Sequence, residues 1–159
     1  PGQSHGWPEK SMHPRRMLAL AGCVQPGLAP NTNAAMARLL DRLGITLFEA
    51  PEAGCCGALR FHLDAQEAAL ADMRRNIDAW WPHVEPVQGP GVEAIVMTAS
   101  GCGAHVKEYG LLLRHDPAYA AKAERIAALT KDVSEILAAE AERLKPLLAA
   151  KAHPPLKLA

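Results

Sequence analysis

Four cysteines, Cys23, Cys55, Cys56 and Cys102, carry the chemistry this chain can do. Thiolates are soft donors that suit iron–sulfur clusters and zinc, and four of them suffice for a cubane cluster or a tetrahedral zinc. Thirty-one residues separate Cys23 from Cys55, and forty-five separate Cys56 from Cys102. This is neither compact ferredoxin spacing nor a zinc-finger or ribbon pattern. No Cys-x-x-Cys is present, which argues against a dithiol redox switch. Adjacent cysteines in extended backbone point to opposite sides, so Cys55 and Cys56 can serve one site only through a tight turn. Gly54 and Gly57 permit one. A lone cysteine is usually a small buried hydrophobe; four of them beside glycines read better as one site that holds an iron–sulfur cluster or a metal.

Other reactive residues have ordinary readings. His105 completes Cys102-x-x-His105 and is a candidate further metal ligand; a solvated or capping group in a first helical turn is the competing reading. His62, six residues after Cys56, is a weaker candidate. Trp80-Trp81 could shield a cluster from water, although one ring in the core and one at its margin is the simpler expectation. Lys107, Glu108 and Tyr109 could line a site mouth and fit a half-exposed helix equally well. The chain shows no Ser–His–Asp logic, no phosphate-cradling glycine loop and no paired carboxylates.

The elements that must position the cysteines alternate between strand and helix. Met17–Ala21 is a short apolar run ending in Gly22-Cys23, a buried strand. Asn31 is placed to cap a helix bearing Met36, Leu39, Leu40 and Leu43, with Gly44 as its stop. Ile45–Phe48 is a second strand leading to the Cys55-Cys56 loop. Asp64 and Glu67 form a capping-box pattern before a helix carrying Leu70, Met73, Ile77 and Trp80, which Pro82 should end. Ala94–Thr98 is a third strand running into Cys102, and Val106, Tyr109 and Leu113 share one face of a short helix. Asp116-Pro117 should open the next helix, and helix should continue, with or without a break, from Thr130 to Leu144, up to Pro146. These elements predict an α/β domain with a mostly parallel sheet flanked by helices and a helical C-terminal segment. Ligands in such sheets gather at the carboxyl ends of the strands, where all four cysteines fall.

Composition sets the class. The chain has 159 residues, 49% hydrophobic and 4% aromatic, enough for one core built largely from alanine-rich helices. Seventeen basic residues balance seventeen acidic ones, which gives no electrostatic case for nucleic acid or an anionic membrane. No apolar run is long enough for a transmembrane segment, and no signal peptide is visible. Residues 1–14 read as a linker or arm, residues 15–146 as the domain and residues 147–159 as a tail. A start at Pro1-Gly2-Gln3 suggests a piece of a longer or processed polypeptide. Four free thiols suit a reducing, cytoplasmic compartment.

The local words Gly22-Cys23-Val24-Gln25-Pro26, Pro30–Ala35, Glu52–Ala58, Asn76–Pro82 and Thr98–Ala104 resemble the cysteine-rich CCG domains of heterodisulfide reductase B subunits, lactate-utilisation proteins and, most closely, glycolate oxidase iron–sulfur subunits. The resemblance spans roughly residues 17 to 140. It implies an electron-transfer role beside flavin-containing glycolate oxidase subunits, taking electrons from glycolate oxidation towards the quinone pool. The cytoplasm is the implied location, peripheral at the inner membrane through the complex. It implies a separate N-terminal ferredoxin-type domain, whose Cys-x-x-Cys-x-x-Cys-x-x-x-Cys-Pro motif this chain lacks. Cys23, Cys55, Cys56 and Cys102 carry over as cluster ligands, for a [4Fe–4S] cluster. His105 stands where the fuller pattern has a fifth cysteine, so heterodisulfide-reductase-like thiol–disulfide chemistry fits less well. Zinc on the same thiols, as a structural or docking module, and an empty site in the isolated chain are the alternatives.

Overall fold

A computed structural model describes residues 6–8 and 12–149. Four strands, β1 (Arg15–Ala19), β2 (Ile45–Glu49), β3 (Ile95–Met97) and β4 (Thr130–Asp132), form one sheet in the order β2-β1-β3-β4. Every pairing is parallel, as expected. Met17, Leu18 and Ala19 are all buried, so β1 is covered on both faces, as the continuous apolar run of an interior parallel strand requires.

Alternation along the strands splits the core in two. Leu18, Leu20, Ile95 and Met97 point to one face and pack on α4 (Gln66–Val84), α5 (Ser100–Lys107), α6 (Tyr109–Leu112) and α7 (Ala120–Leu129). Met17, Ala19, Ile45, Leu47 and Val96 point to the other, against α2 (Asn31–Arg42), α8 (Val133–Ala139) and α9 (Ala141–Ala149). Two short helices, α1 (Gln25–Leu28) and α3 (Ala58–His62), sit in the loops after β1 and β2. The result is an α/β/α sandwich with a helical C-terminal segment.

Several boundaries differ from the sequence expectation, each for a local reason. Pro30 rather than Asn31 occupies the N-cap of α2, with no side-chain cap. Asp64 does not cap α4. It takes φ 62° and closes α3, with Asp64 N–H on Phe61 O (3.3 Å) and Ala65 N–H on Arg60 O (2.9 Å), the paired bonds of a Schellman ending. Pro82 lies inside α4, which runs on to Val84; burial of Val84 in the core offsets the one missing amide bond. Asp116 sits one turn earlier than expected: its carbonyl accepts from Ala120 N–H, and α7 begins at Ala120.

The largest departure is β4. The expected helix from Thr130 is interrupted by Thr130-Lys131-Asp132, which pair with Ile95-Val96-Met97 at the sheet edge. Three polar residues show no strand periodicity; their pairing is decided by the edge that β3 leaves open. Asp132 then caps α8 in a full capping box with Glu135. Pro146 lies within α9, which continues to Ala149, past the domain boundary expected at residue 146. Residues 150–159 of the expected tail, and residues 1–5 and 9–11 of the expected arm, lie outside the described residues. Within the arm, His13 N–H donates to Thr46 Oγ1 (2.7 Å) and its ring pairs with Asp41 (2.8 Å).

The turn between α8 and α9 is pinned to the start of β1 by buried Glu140, which accepts from Arg15 (2.7 Å) and Arg143 (2.8 Å). The Arg15 bond, more than the Arg143 one, holds this carboxyl below its usual range. Glu140→Gln should therefore cost about 1–2 kcal/mol in urea unfolding at pH 7, modest because both guanidinium partners are partly solvated. A depressed carboxyl stabilises the fold above its unfolded pKa of about 4.3, so the gap between variant and parent should close as pH falls below that value.

Candidate functional site

The parallel sheet sends every strand-end loop to one edge. Cys23 follows β1, Cys55 and Cys56 follow β2, and Cys102 is the third residue of α5, which follows β3. The chain leaves β1 towards β2 on one side and later returns to β3 on the other, so the gap between β1 and β3 is the topological switch point. A cavity of ≈ 270 Å³ opens there, lined by Leu20, Cys23, Met97, Thr98 and Cys102 among others.

The four sulfurs meet as two pairs. Cys23 Sγ lies 3.3 Å from Cys55 Sγ, and the Cys56 and Cys102 thiols act on each other's protonation. The bond to Cys55 pushes the Cys23 thiol up, with burial adding to it. The bond to Cys102, then burial, pushes Cys56 up well beyond the usual thiol range. As the acceptor of that bond, Cys102 is held below it. Cys102 also feels the charges of Cys23 and Cys55, so the pairs form one electrostatic unit. Backbone amides face the sulfurs: Gly57 N–H reaches Cys55 Sγ (3.4 Å), and bonds from Val24 and Ala58 lower the Cys23 and Cys56 thiols.

Four soft thiols suit an iron–sulfur cluster or a zinc ion. Zinc needs thiolates about 2.3 Å from one point. Among the described residues, no three His, Cys, Asp or Glu side chains converge on such a point.

The Cys55-Cys56 turn is held from below by α4. Asn76 Oδ1 accepts from Gly54 N–H (2.9 Å), and Asn76 Nδ2 donates to Cys55 O (2.8 Å). Arg75 also donates to Cys55 O (3.1 Å), and Tyr109 Oη donates to Cys56 O (2.6 Å). Buried Asp72 anchors Arg75 (2.6 Å) and Arg60 (2.8 Å) on either side of the turn. Gly57 takes φ 91°, and a Cβ there would stand 3.0 Å from Ala69 O, so the turn accepts only glycine at that position.

Residues 17–107 match the cysteine-rich domain family CCG. The chain belongs to that family. It is 59% identical over 128 residues to the glycolate oxidase iron-sulfur subunit of Escherichia coli, covering 80% of this chain and 30% of that protein. It is 31% identical to the probable glycolate oxidase iron-sulfur subunit of Bacillus subtilis over 77% of this chain and 26% of that protein. Lactate utilization protein A of Bacillus pumilus is 28% identical over 72% of this chain and 44% of its own length. The chain thus spans less than half the length of each of these relatives. No solved structure matches it.

The other sequence candidates fall differently in this CCG domain. His105 is buried, not solvated; burial lowers its pKa, and its Nε2 has no hydrogen-bond partner. Its ring packs on Phe61 (5.6 Å), Tyr109 (5.9 Å) and His62 (6.2 Å), and among the described residues no three-ligand group includes it. His62 is exposed. Trp80 is fully buried and Trp81 sits at the core margin beside Lys122 (5.5 Å), the simpler of the two expectations. Tyr109 is wholly buried rather than half-exposed, and Lys107 pairs with Glu135 (2.6 Å). Asn76, Arg75 and Asp72 were missed because on α4 they read as an ordinary polar face; the burial of Asn76 and Asp72 is the signal, and only the fold shows it.

Gly57→Ala should strain the turn and lower the melting temperature of the metal-free protein, at a cost of about 1–3 kcal/mol. Gly101→Ala, where a Cβ meets nothing within 4 Å, should leave it unchanged.

Proposed function

We propose that this CCG domain holds an iron–sulfur cluster of the [4Fe–4S] type on Cys23, Cys55, Cys56 and Cys102. We further propose that it serves as an electron-transfer module of a glycolate-oxidising flavoprotein complex. The observation that carries the reading is the meeting of four thiols from three strand-end loops at the switch point of a parallel sheet. The similarity to glycolate oxidase iron-sulfur subunits supports the substrate and partner. In that complex the electron donors are flavin-containing subunits, the subunit's ferredoxin-type domain shares the wire, and the acceptor is the quinone pool. Among the described residues no helix is long and apolar enough to cross a membrane. The complex would lie in the cytoplasm, reaching the membrane peripherally through its other parts.

When bound, the cluster takes up and gives back one electron at a time. The chain's own residues prepare its seat. Cys102, held below the usual thiol range by its bond with Cys56, lies at the N-terminal turn of α5, where the helix dipole favours the anion. Cys56 and Cys23 hold their protons more tightly and release them on ligation. The amides facing Cys23, Cys55 and Cys56 stabilise the thiolates. Cys56 is buried and Cys23 exposed, so the Cys23 side is where an electron enters or leaves.

Anaerobic reconstitution followed by EPR tests this. The parent should take up iron and sulfide in equal amounts and give a paramagnetic signal in one redox state, and Cys102→Ser should abolish or alter it. A colourless protein without iron, or one zinc per chain with silent spectra, would overturn it. Because the ligands must deprotonate and two thiols are raised, iron uptake should be greater at pH 8 than at pH 6.

A further inference from the structure

Residues Cys23–Pro30 cross the switch point as a strap that the core does not hold. Helix α1 buries none of its residues, and Gln25 is the one residue of this segment that is not exposed. Cavities lie on both sides of it, one of ≈ 270 Å³ towards β3 and one of ≈ 200 Å³ towards Trp7 and Glu49. Its backbone bonds are local, such as Leu28 N–H to Val24 O and Ala29 N–H to Gln25 O. Among the described residues, two side chains tie the strap to the body: Cys23 to Cys55, and the Gln25 amide.

That amide enters a closed network. Gln25 Nε2 donates to Asn33 Oδ1 (2.8 Å) and to Thr98 Oγ1 (2.6 Å), and the Thr98 hydroxyl donates to Asn33 Oδ1 (2.5 Å). Asn33 Nδ2 donates to Leu20 O (3.0 Å) and Glu49 Oε1 (2.7 Å). Asn33 is 6% exposed, and every donor and acceptor position of its amide is used. The network touches each cysteine loop near its root: Leu20 and Gln25 flank Cys23, Glu49 leads towards Cys55, and Thr98 precedes Cys102.

We infer that Gln25, Asn33 and Thr98 form a latch that positions Cys23 against Cys55 and Cys102 and so sets how firmly the cysteine edge retains its cluster. The three are positioning residues; none is a ligand. The inference rests on the reading of the cysteines as a cluster seat. Its physical basis is preorganisation: a ligand on a segment without core contacts must be ordered at each binding event, and two amide bonds from Gln25 do that ordering in advance.

Three variants separate a latch from mere packing. Gln25→Met removes the amide at similar length, Thr98→Val removes the hydroxyl and keeps the shape, and Thr98→Ser keeps the hydroxyl and loses the methyl. After anaerobic reconstitution, Gln25→Met and Thr98→Val should lose iron to a chelator about five- to tenfold faster than the parent. Both should also broaden the EPR signal of the cluster, whereas Thr98→Ser should match the parent. In the metal-free protein, amide hydrogen exchange of residues 22–30 should quicken by a similar factor in the first two variants only. Unchanged exchange there, or Thr98→Ser as impaired as Thr98→Val, overturns the latch. Failure of the parent to bind iron overturns the cluster reading alone, and the exchange experiment then decides the latch by itself.

Discussion

The structure depends on the burial of one strand on both faces. β1 is apolar along its inner length because helices cover it from both sides, and its neighbours β2 and β3 run parallel to it. Parallel pairing forces each connection to cross back over the sheet, so every strand-end loop opens on the same edge. The cysteines meet because β1 is central and its neighbours are parallel. A hairpin in place of either pairing would send one cysteine loop to the opposite end of the sheet.

Convergence alone does not make a seat. The Cys55-Cys56 turn is braced by Asn76 of α4 and by Tyr109, both satisfied while buried. Buried polar groups of this kind are costly when unpaired and specific when paired. The Cys23 loop is held in another manner, by amide and hydroxyl groups of Gln25, Asn33 and Thr98, and it adds no residue to either buried core cluster. One edge thus carries a half packed on the core, Cys55-Cys56 with Cys102, and a half tied to the body by hydrogen bonds, Cys23. The exposed sulfur belongs to the second half.

The cores on the two faces have separate tasks. The face with α4, α5, α6 and α7 packs directly behind the cysteines: Cys56 belongs to that cluster, and Cys102 packs against it. The face with α2, α8 and α9 supports the sheet, and through α2 it supplies Asn33 to the network at the edge. The Glu140 ion pairs lie at the other end of β1, where Arg15 begins the strand, and hold the C-terminal helices to it.

By itself the sequence determined the alternation of strand and helix and the parallel sheet, and it pointed to the four cysteines as the candidate site. Those features rest on local periodicity, on glycines at strand ends and on residue chemistry, all carried by neighbouring residues. It also determined family membership, since the words around Cys23, Cys55-Cys56 and Cys102 are short and distinctive. The tertiary structure decided what depends on distant partners. Thr130-Lys131-Asp132 became a strand because β3 left an edge open. Asp64 became a helix ending rather than a helix start because α3, itself too short to show a period, closes on it. His105 was buried and Tyr109 was drawn onto Cys56 O because α5 packs against the sheet and α3. Asn33 and Asn76 look like any polar residue on an amphipathic helix; only the folded chain puts their amides against the cysteine loops, where a buried amide must find its partners.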